Sequence, residues 1–225
     1  MKQKSMYILI LILLATLLAA CASPAPASTG SNVVVPTQIS STNSSSANST
    51  SLTPIVTLDS SLACEGGKTS ASQTVALTEG PYYKQGSPEL ANLIQNGMTG
   101  TKLTLVGYVY DTNCQPVANA WLDFWQADAN GNYDNSGYTL RGHQYTDANG
   151  RYELVTVIPG LYPGRTEHIH FKVQAPTGSI LTSQLFFPGV TQNSEDGIYE
   201  ASLLIVLQQA SDGMSGQYNF VVPAS

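Results

Sequence analysis

The feature that most restricts the fold of this chain is a series of short β-rich runs in its second half. Eight runs follow one another, separated by clusters of Asn, Gly, Pro and Asp that are typical of turns. They cover residues 102–110, 120–127, 141–146, 151–157, 167–174, 181–187, 202–207 and 217–222. Strands of this length and spacing predict an antiparallel β-sandwich or barrel, and no long helical pattern competes with them.

One short helix is expected before the first of these strands. Residues 88–97 begin with a proline, which favours the first turn of a helix, and end with Asn-Gly, a common helix stop. The sequence therefore predicts an all-β fold, an antiparallel β-sandwich with one short N-terminal helix.

The run at residues 167–174 also carries a candidate for chemistry. Its alternation places Ile169, Phe171 and Val173 on one side of the strand. His168 and His170 lie on the other side. Same-side neighbours on a strand are about 7 Å apart at the Cα, so both imidazoles can reach one ion.

Tyr162 precedes this strand in a loop. Pro-Gly pairs at residues 159–160 and 163–164 flank it, and these turn residues place its phenol beside the histidines. The alternative is that Tyr162 is an ordinary turn residue and that His168 and His170 are solvated strand positions. The His-x-His spacing alone does not decide between the two.

A second tyrosine in polar loop sequence completes the candidate set. The phrase Asp-Ala-Asn-Gly occurs at residues 128–131 and 147–150, and each copy is followed by a tyrosine, Tyr133 or Tyr152. Asn-Gly favours hairpin turns, so the phrase itself is structural. Tyr152 shares a strand side with Leu154, which predicts a core position. Tyr133 lies among polar loop residues and is the freer of the two to bind a ligand.

Two phenols and two imidazoles thus form the candidate site: Tyr133, Tyr162, His168 and His170. A phenol has a pKa near 10 and binds a metal as phenolate, so the bound cation must supply the charge that deprotonates it. Ferric iron is a hard trivalent ion that suits this set, whereas zinc more often takes His, Cys or carboxylate ligands. We therefore expect Fe(3+) as the cofactor.

The candidate residues lie within a series of short motifs. These are TEGPYY at 78–83, WQA at 125–127 with GNY at 131–133, TD at 146–147 with GRY at 150–152, PGLYP at 159–163, Arg165 with HIHF at 168–171, and QLFF at 184–187. Together and in this order they resemble the intradiol ring-cleavage dioxygenases, the family of the catechol, protocatechuate and hydroxyquinol dioxygenases. Several ordered motifs are a more specific signal than His-x-His alone.

The resemblance implies a non-haem Fe(III) enzyme that cleaves a catechol-type ring with O₂ to a cis,cis-muconate-type diacid. The implied metal ligands are Tyr133, Tyr162, His168 and His170. It also implies that Tyr162 leaves the iron when the catechol binds and then acts as a base. Arg165 would stabilise negative charge on the ring, and Gln184 would lie near the O₂ side.

Two departures from the family pattern affect substrate and assembly. Only five residues separate Tyr162 from His168, fewer than in the protocatechuate enzymes, which implies a more open pocket. The segment before Gly80 lacks the long helical region through which catechol dioxygenases dimerise. No oligomeric state is therefore predicted, and neither is one particular catechol.

Two other functions fit parts of the pattern. A lipid-anchored module of the same fold would bind iron or phenolics without turnover. A zinc hydrolase would be built on His168, His170 and His143. We expect His143 to be an ordinary surface residue, which argues against this zinc site. Lys172 lies on the histidines' side of the strand, and we expect its side chain to be solvated.

The N-terminus predicts export and lipidation. Residues 1–20 combine two lysines with an apolar run that is short for a membrane span of about 20 residues and typical of a signal peptide. The run ends in Leu-Ala-Ala-Cys, which resembles the lipobox of bacterial lipoproteins. That resemblance implies lipidation of Cys21 and an extracytoplasmic protein anchored to the bacterial membrane. The alternative is a plain signal peptide cut after Ala20.

The domain organisation follows from composition. Residues 21–57 are rich in Ser and Thr with hardly a charge or an aromatic, which predicts a flexible tether. Residues 58–225 remain for the β-sandwich domain.

The other two cysteines, Cys64 and Cys114, form an even pair once Cys21 is lipidated. An oxidising compartment favours a disulfide between them. Two buried thiols are the alternative, and a metal site is less favoured because no Cys-x-x-Cys spacing occurs. The formal net charge of −6 and the lack of a basic run argue against nucleic-acid binding. The expected partners are an aromatic diol, O₂ and the membrane.

Overall fold

The structure is a computed structural model, and it describes residues 62–223. The predicted signal peptide (1–20), the lipidation site at Cys21 and the tether (21–57) lie outside the described residues. Residues 58–61 and 224–225 of the predicted domain (58–225) lie outside them as well. Between residues 62 and 223, no helix is long and apolar enough to cross a membrane.

Nine strands and two short 3₁₀ helices form within residues 62–223. The strands are β1 (Lys102–Asp111), β2 (Trp121–Gln126), β3 (Arg141–Tyr145), β4 (Arg151–Val157), β5 (His168–Gln174), β6 (Leu181–Phe186), β7 (Val206–Ala210), β8 (Gly213–Gln217) and β9 (Phe220–Val222). The 3₁₀ helices are Thr191–Ser194 and Ala201–Leu203. The first six predicted strands agree with β1 to β6 within one residue at each end.

The strands form two sheets that share one hydrophobic core. The first sheet has the order β4-β1-β8-β7, with β9 also paired with β1, and the second has the order β3-β2-β5-β6. Leu103 and Leu105 from β1 and Phe124 and Phe171 from the second sheet are fully buried in this core. Each such side chain contributes about 1.5–3 kcal/mol by its removal from water. This architecture confirms the predicted β-sandwich.

The prediction of a purely antiparallel sandwich was wrong in the first sheet. There, β1 pairs in parallel with β8, and also with β9. The long connection at residues 187–205 carries the chain from the second sheet to the first. Parallel neighbours need a long crossover connection of this kind, since a tight hairpin joins only antiparallel strands.

The two last predicted strands also differ from the observed ones. Within predicted strand 202–207, the Glu200 carboxylate accepts the Ser202 N–H at 3.1 Å. This cap begins a 3₁₀ turn, so β7 starts only at Val206. Predicted strand 217–222 is divided near Asn219. The Asn219 side-chain oxygen, in place of a backbone carbonyl, accepts the Tyr108 N–H at 3.0 Å.

The predicted helix at residues 88–97 was wrong. Its first part lies along the edges of both sheets, with Glu89 bridged to His143 and Asn92 to Val155, and residues 96–97 form a turn. The N–H of Leu93 donates to the carbonyl of Val155, and the N–H of Val155 donates to Ala91. These bonds to strand edges replace the bonds of a helix, which is only marginally stable at such a length.

The second sheet presents its outer face in rows, because directly paired residues on neighbouring strands lie side by side. The site row consists of Arg141, Trp125, His170 and Gln184. The middle row consists of His143, Asp123, Lys172 and Thr182. His168 lies beyond the site row, opposite Phe186. The register therefore gathers the chemically interesting side chains at one end of one sheet face.

A disulfide joins Cys64 and Cys114, whose Cα atoms lie 5.2 Å apart. It ties the start of the described chain to the turn that follows β1. Nearby, the Asn219 amide donates to the carbonyl of Ala63 at 3.0 Å. The covalent link and the hydrogen bond together hold this N-terminal segment against the first sheet.

Candidate metal centre

Three of the four predicted ligands meet at the end of the second sheet. The Nε2 atoms of His168 and His170 lie 3.1 Å apart, and the Tyr133 hydroxyl lies 3.2 Å from His168 Nε2. Both histidines come from β5 and point to the same face, as their spacing of two requires. Tyr133 reaches them from the loop after β2.

Both imidazoles are held neutral. His168 Nδ1 lies 2.6 Å from the Thr166 carbonyl. Since a carbonyl only accepts hydrogen bonds, Nδ1 carries the proton and Nε2 presents a lone pair. Burial lowers the pKa of His168 to about 4 and holds the pKa of His170 well below its usual range. Two nitrogen lone pairs are therefore available near neutral pH.

The distances fit one bound cation. Two ligand atoms that are each about 2.1 Å from an ion and subtend a right angle there lie about 3 Å from each other. The contacts of 3.1 and 3.2 Å match this separation. Burial raises the pKa of Tyr133, so its phenol stays protonated unless a cation supplies charge. The donor set of two imidazoles and a phenol suits ferric iron.

His170 is enclosed on both sides. The Trp125 indole stacks on its ring, with centroids 4.8 Å apart and planes 7° from parallel. At Gly80, an added Cβ would lie 3.2 Å from His170 Cε1, so the absence of a side chain lets the backbone approach the ring. His170 Nδ1 is buried without a hydrogen-bond partner among the described residues. The ring is thus held by packing, with Nε2 directed at the site.

Tyr162, the fourth predicted ligand, lies one ring farther out. Its hydroxyl is 2.7 Å from the Tyr82 hydroxyl, and its ring centroid is 6.0 Å from that of Tyr133. Tyr82 in turn stacks on Tyr133 at 4.4 Å. The hydrogen bond with Tyr162 raises the pKa of Tyr82, so Tyr82 keeps its proton, and either hydroxyl can be the donor in this pair. The structure therefore places Tyr162 beside the centre, with its hydroxyl held by a second phenol.

Arg165 is fixed beside the centre by two partners. Its Nε donates to Asp196 Oδ2 at 2.8 Å, and its Nη2 donates to Gln184 Oε1 at 2.6 Å. Asp196 Oδ2 also accepts the Thr166 N–H at 3.0 Å. The side chains of Arg165 and Asp196 are 16% and 2% exposed. Arg165 is thus a positioned cation, and Gln184 orients it while donating its own amide to the Thr78 carbonyl.

Tyr162 and Arg165 also line an open cavity of about 390 Å³. Its walls are formed by residues 161–165 together with Gln192, Glu195 and Asp196. A volume in this range is typical of small-molecule sites. Tyr162 and Arg165 thus connect this cavity with the surroundings of the centre, because the Tyr162 ring lies 6.0 Å from the Tyr133 ring and Arg165 bonds Gln184, the partner of His170 in the sheet.

Two predictions for residues of the middle row were wrong. His143 is half-buried, and its Nδ1 lies 2.8 Å from the Ser87 carbonyl, because residues 84–92 cover this part of the sheet. The Lys172 side chain is only 12% exposed, since it pairs with Glu79 and lies 3.9 Å from the Tyr83 ring centroid. His143 is two strands away from His170 and one row away, at least about 10 Å, so the proposed three-histidine zinc site is contradicted.

The structure adds three residues that the sequence did not single out. Tyr82 and Trp125 lie inside the recognised motifs, and only their contacts show what they do. Asp196 lies 31 residues beyond Arg165 in an ordinary polar turn. No local pattern links Asp196 to the site, so only the folded chain reveals it.

Comparisons with known proteins show that the chain is similar to dioxygenases. A family model described as "Dioxygenase" matches residues 78–167. The chain is 32% identical over 130 residues to the protocatechuate 3,4-dioxygenase beta chain of Burkholderia cepacia. It is 31% identical over 145 residues to hydroxyquinol 1,2-dioxygenase of Corynebacterium glutamicum. These matches cover 49% and 54% of this chain. The chain spans only 55% and 48% of these two relatives, about half of each.

Solved structures show the same fold. The dioxygenase domain of a dioxygenase carbohydrate-binding protein fusion from Streptomyces sp. SirexAA-E is 44% identical, with a TM-score of 0.67, and the match covers 68% of this chain and all of that domain. 3-Chlorocatechol 1,2-dioxygenase from Rhodococcus opacus 1CP is 27% identical, with a TM-score of 0.63. That match covers 68% of this chain and 73% of the other.

Proposed function

Because this chain belongs to the intradiol ring-cleavage dioxygenase family, we propose that it is a non-haem Fe(III) dioxygenase. It cleaves a catechol-type ring between the two hydroxyl-bearing carbons. Both atoms of one O₂ enter the product, which is a cis,cis-muconate-type diacid. The single observation that carries this proposal is that His168 Nε2 lies 3.2 Å from Tyr133 Oη and 3.1 Å from His170 Nε2.

The proposed ligands are Tyr133, His168, His170 and Tyr162. Ferric iron, when bound, supplies the charge that makes the phenols phenolates and holds and activates the catechol for its reaction with O₂. Burial of the two histidines supports their role, since it keeps their nitrogens unprotonated. Trp125 and the Thr166 carbonyl fix the two ring orientations.

Tyr162 is proposed to act as the mobile base. Its hydroxyl is already bonded to Tyr82 Oη at 2.7 Å, to one side of the histidine pair. As the phenolate that a bound cation would produce, Tyr162 could there take the proton of a substrate hydroxyl and become a phenol, while Tyr82 would donate to the phenolate and stabilise its charge. The hydrogen bond between the two phenols thus gives Tyr162 a defined place whenever it is not a ligand.

Arg165 is proposed to stabilise negative charge on the substrate ring. A guanidinium does this best when it is held in advance, because no reorganisation is then needed during the reaction. Asp196 and Gln184 hold it from two sides, at 2.8 and 2.6 Å. The proposed role of Gln184 is therefore to orient Arg165 beside the O₂ side of the site.

The experiment is oxygen uptake by the iron-loaded full chain with catechol, hydroxyquinol and protocatechuate. We expect one O₂ consumed per ring and, with labelled O₂, both labelled atoms in one diacid. Tyr133→Phe should abolish uptake, whereas Tyr138→Phe, whose hydroxyl bonds only the Gln85 carbonyl among the described residues, should retain it. A semialdehyde product from cleavage beside the diol would contradict the proposal. Catechol binding without uptake would favour the non-catalytic binding module instead.

We further propose that the protein acts outside the cytoplasm, held to the membrane by lipid on Cys21. The support is the sequence of residues 1–21, with an apolar run that ends in Leu-Ala-Ala-Cys. The disulfide between Cys64 and Cys114 agrees with an oxidising compartment. Cys21→Ala should move the protein from the membrane fraction to the soluble fraction of bacterial cells. Equal distribution of both forms would contradict the anchor.

A further inference from the structure

The cavity beside Arg165 carries a charge pattern that bears on the substrate. Its described lining contains one cation, Arg165, and two carboxylates, Asp196 and Glu195. We expect a catechol held at the centre to direct its ring substituents toward this cavity, because two of its lining residues lie beside the centre: the Tyr162 ring is 6.0 Å from that of Tyr133, and Arg165 bonds Gln184, the partner of His170. The charges here therefore act on whatever group the ring carries.

The single cation of this lining is already paired with a carboxylate. Asp196 Oδ2 accepts from Arg165 Nε at 2.8 Å, and Gln184 takes a second donor of the guanidinium. Burial alone would raise the pKa of Asp196. The hydrogen bonds donated by the N–H groups of Thr166 and Ile198 and by Arg165 outweigh that effect, so its pKa is lowered and the carboxylate stays ionised. Two nitrogens of the guanidinium are therefore already engaged by the protein, which weakens its capacity to bind a ring carboxylate in two places.

Glu195 leaves a net negative charge in the cavity wall. It is exposed, and none of the four ion pairs formed by the described residues includes it. The rest of the lining is uncharged, with the apolar side chains of Leu161 and Pro163 and the amide of Gln192. Such a wall repels a carboxylate and accommodates an alkyl, hydroxyl or ether substituent.

We propose that this centre selects uncharged catechols and disfavours rings that carry a carboxylate, with Glu195 as the residue that sets this preference. The inference rests on the proposed function and deepens it, because it names the substrate class. Among the described residues, no hydrogen bond or ion pair joins the Glu195 side chain to the predicted ligands or to Arg165, so its charge can be changed without removing a bond of the centre.

The test compares 3,4-dihydroxybenzoate with its methyl ester, which carry the same diol and differ in charge. Two ratios of ester to acid are measured with the iron-loaded protein. The first is the ratio of kcat/KM from oxygen uptake, and the second is the ratio of association constants from calorimetry under argon. We expect the ester to be preferred in the wild type. An exposed charge interaction is worth up to about 1 kcal/mol, so Glu195→Gln should lower the ratio by up to about fivefold.

Glu195→Lys should lower the ratio further and favour the acid. Raising the salt concentration should reduce the wild-type ratio and leave that of Glu195→Gln nearly constant, because salt screens exposed charges. The control is Glu153→Gln, which removes a half-exposed carboxylate, paired with Arg151, from β4 of the other sheet and should keep the wild-type ratio.

The results separate this inference from the function on which it rests. Preference of the wild type for the acid, or an unchanged ratio in Glu195→Lys, overturns the inference while leaving a dioxygenase. Binding of both compounds without oxygen uptake refutes the enzyme, yet the ratio of association constants still decides the selectivity. A protein that binds neither compound refutes both.

Discussion

Asp196→Asn removes the charge that holds Arg165 while keeping the shape of the side chain. Asp196 accepts three hydrogen bonds, from Arg165 Nε at 2.8 Å and from the N–H groups of Thr166 and Ile198 at 3.0 and 2.9 Å. An asparagine supplies one acceptor oxygen and turns an NH₂ group toward one of these donors. At least one buried donor then loses its partner.

The size of the effect follows from burial. Breaking a buried ion pair by removing one partner costs about 3–5 kcal/mol, because the other charge is left unpaired. Arg165 is 16% exposed and keeps its bond to Gln184, so the lower end, about 3 kcal/mol of unfolding free energy, applies here. The guanidinium is also free to leave the substrate ring, and kcat should fall more than tenfold, as for loss of one preorganised charge-stabilising group.

The assays are urea unfolding of the iron-free protein and oxygen uptake by the iron-loaded protein. The matched control is Asp212→Asn, which breaks the ion pair with Lys102 at an exposed edge of the first sheet and should change neither stability nor kcat. Asp196→Glu, which keeps the charge, should recover part of kcat. If Asp196→Asn behaves like Asp212→Asn in both assays, the assignment of Asp196 as the residue that positions Arg165 is wrong.

Three further predictions test other parts of the structure. Replacing Cys64 and Cys114 by serine should lower the unfolding free energy by about 4 kcal/mol, the loop-closure estimate for their separation of 50 residues, and a melting temperature that does not move would refute this. Tyr82→Phe removes a hydrogen bond worth about 1 kcal/mol, so kcat should fall about fivefold; an unchanged kcat would show that the bond to Tyr162 has no role in turnover. In the iron-free protein, burial lowers the pKa of His168 from 6.5 to about 4, so the unfolded chain binds a proton that the folded chain does not. The unfolding free energy should therefore fall by about 3 kcal/mol between pH 6.5 and 4 relative to His168→Gln, and parallel curves for the two proteins would contradict it.

The sequence predicted the second sheet well because its strands alternate clearly. Residues 167–174 show a strict period of two, and that period alone places His168 and His170 on one face. The helix prediction at residues 88–97 failed for the opposite reason. Turn and cap residues were present, but the free edges of β3 and β4 offered the backbone other partners that no local pattern records.

The candidate site was predictable where its residues belong to the ordered motifs of the family. The motifs name Tyr133, Arg165 and the histidine pair, which lie close together in the fold. The Asp196 contact depends on the path of residues 187–205, and the bond between Tyr82 and Tyr162 spans 80 residues. Contacts of this kind arise from tertiary packing, so the folded chain is needed to find them.

The most direct test of the proposed ferric centre is the visible absorption spectrum of the protein with its iron content measured on the same sample. We expect one ferric ion per chain and a strong tyrosinate-to-iron charge-transfer band. The band should weaken sharply in Tyr133→Phe and persist in the matched variant Tyr138→Phe. A colourless protein that nevertheless holds one iron per chain, or an identical band in Tyr133→Phe, would contradict the account.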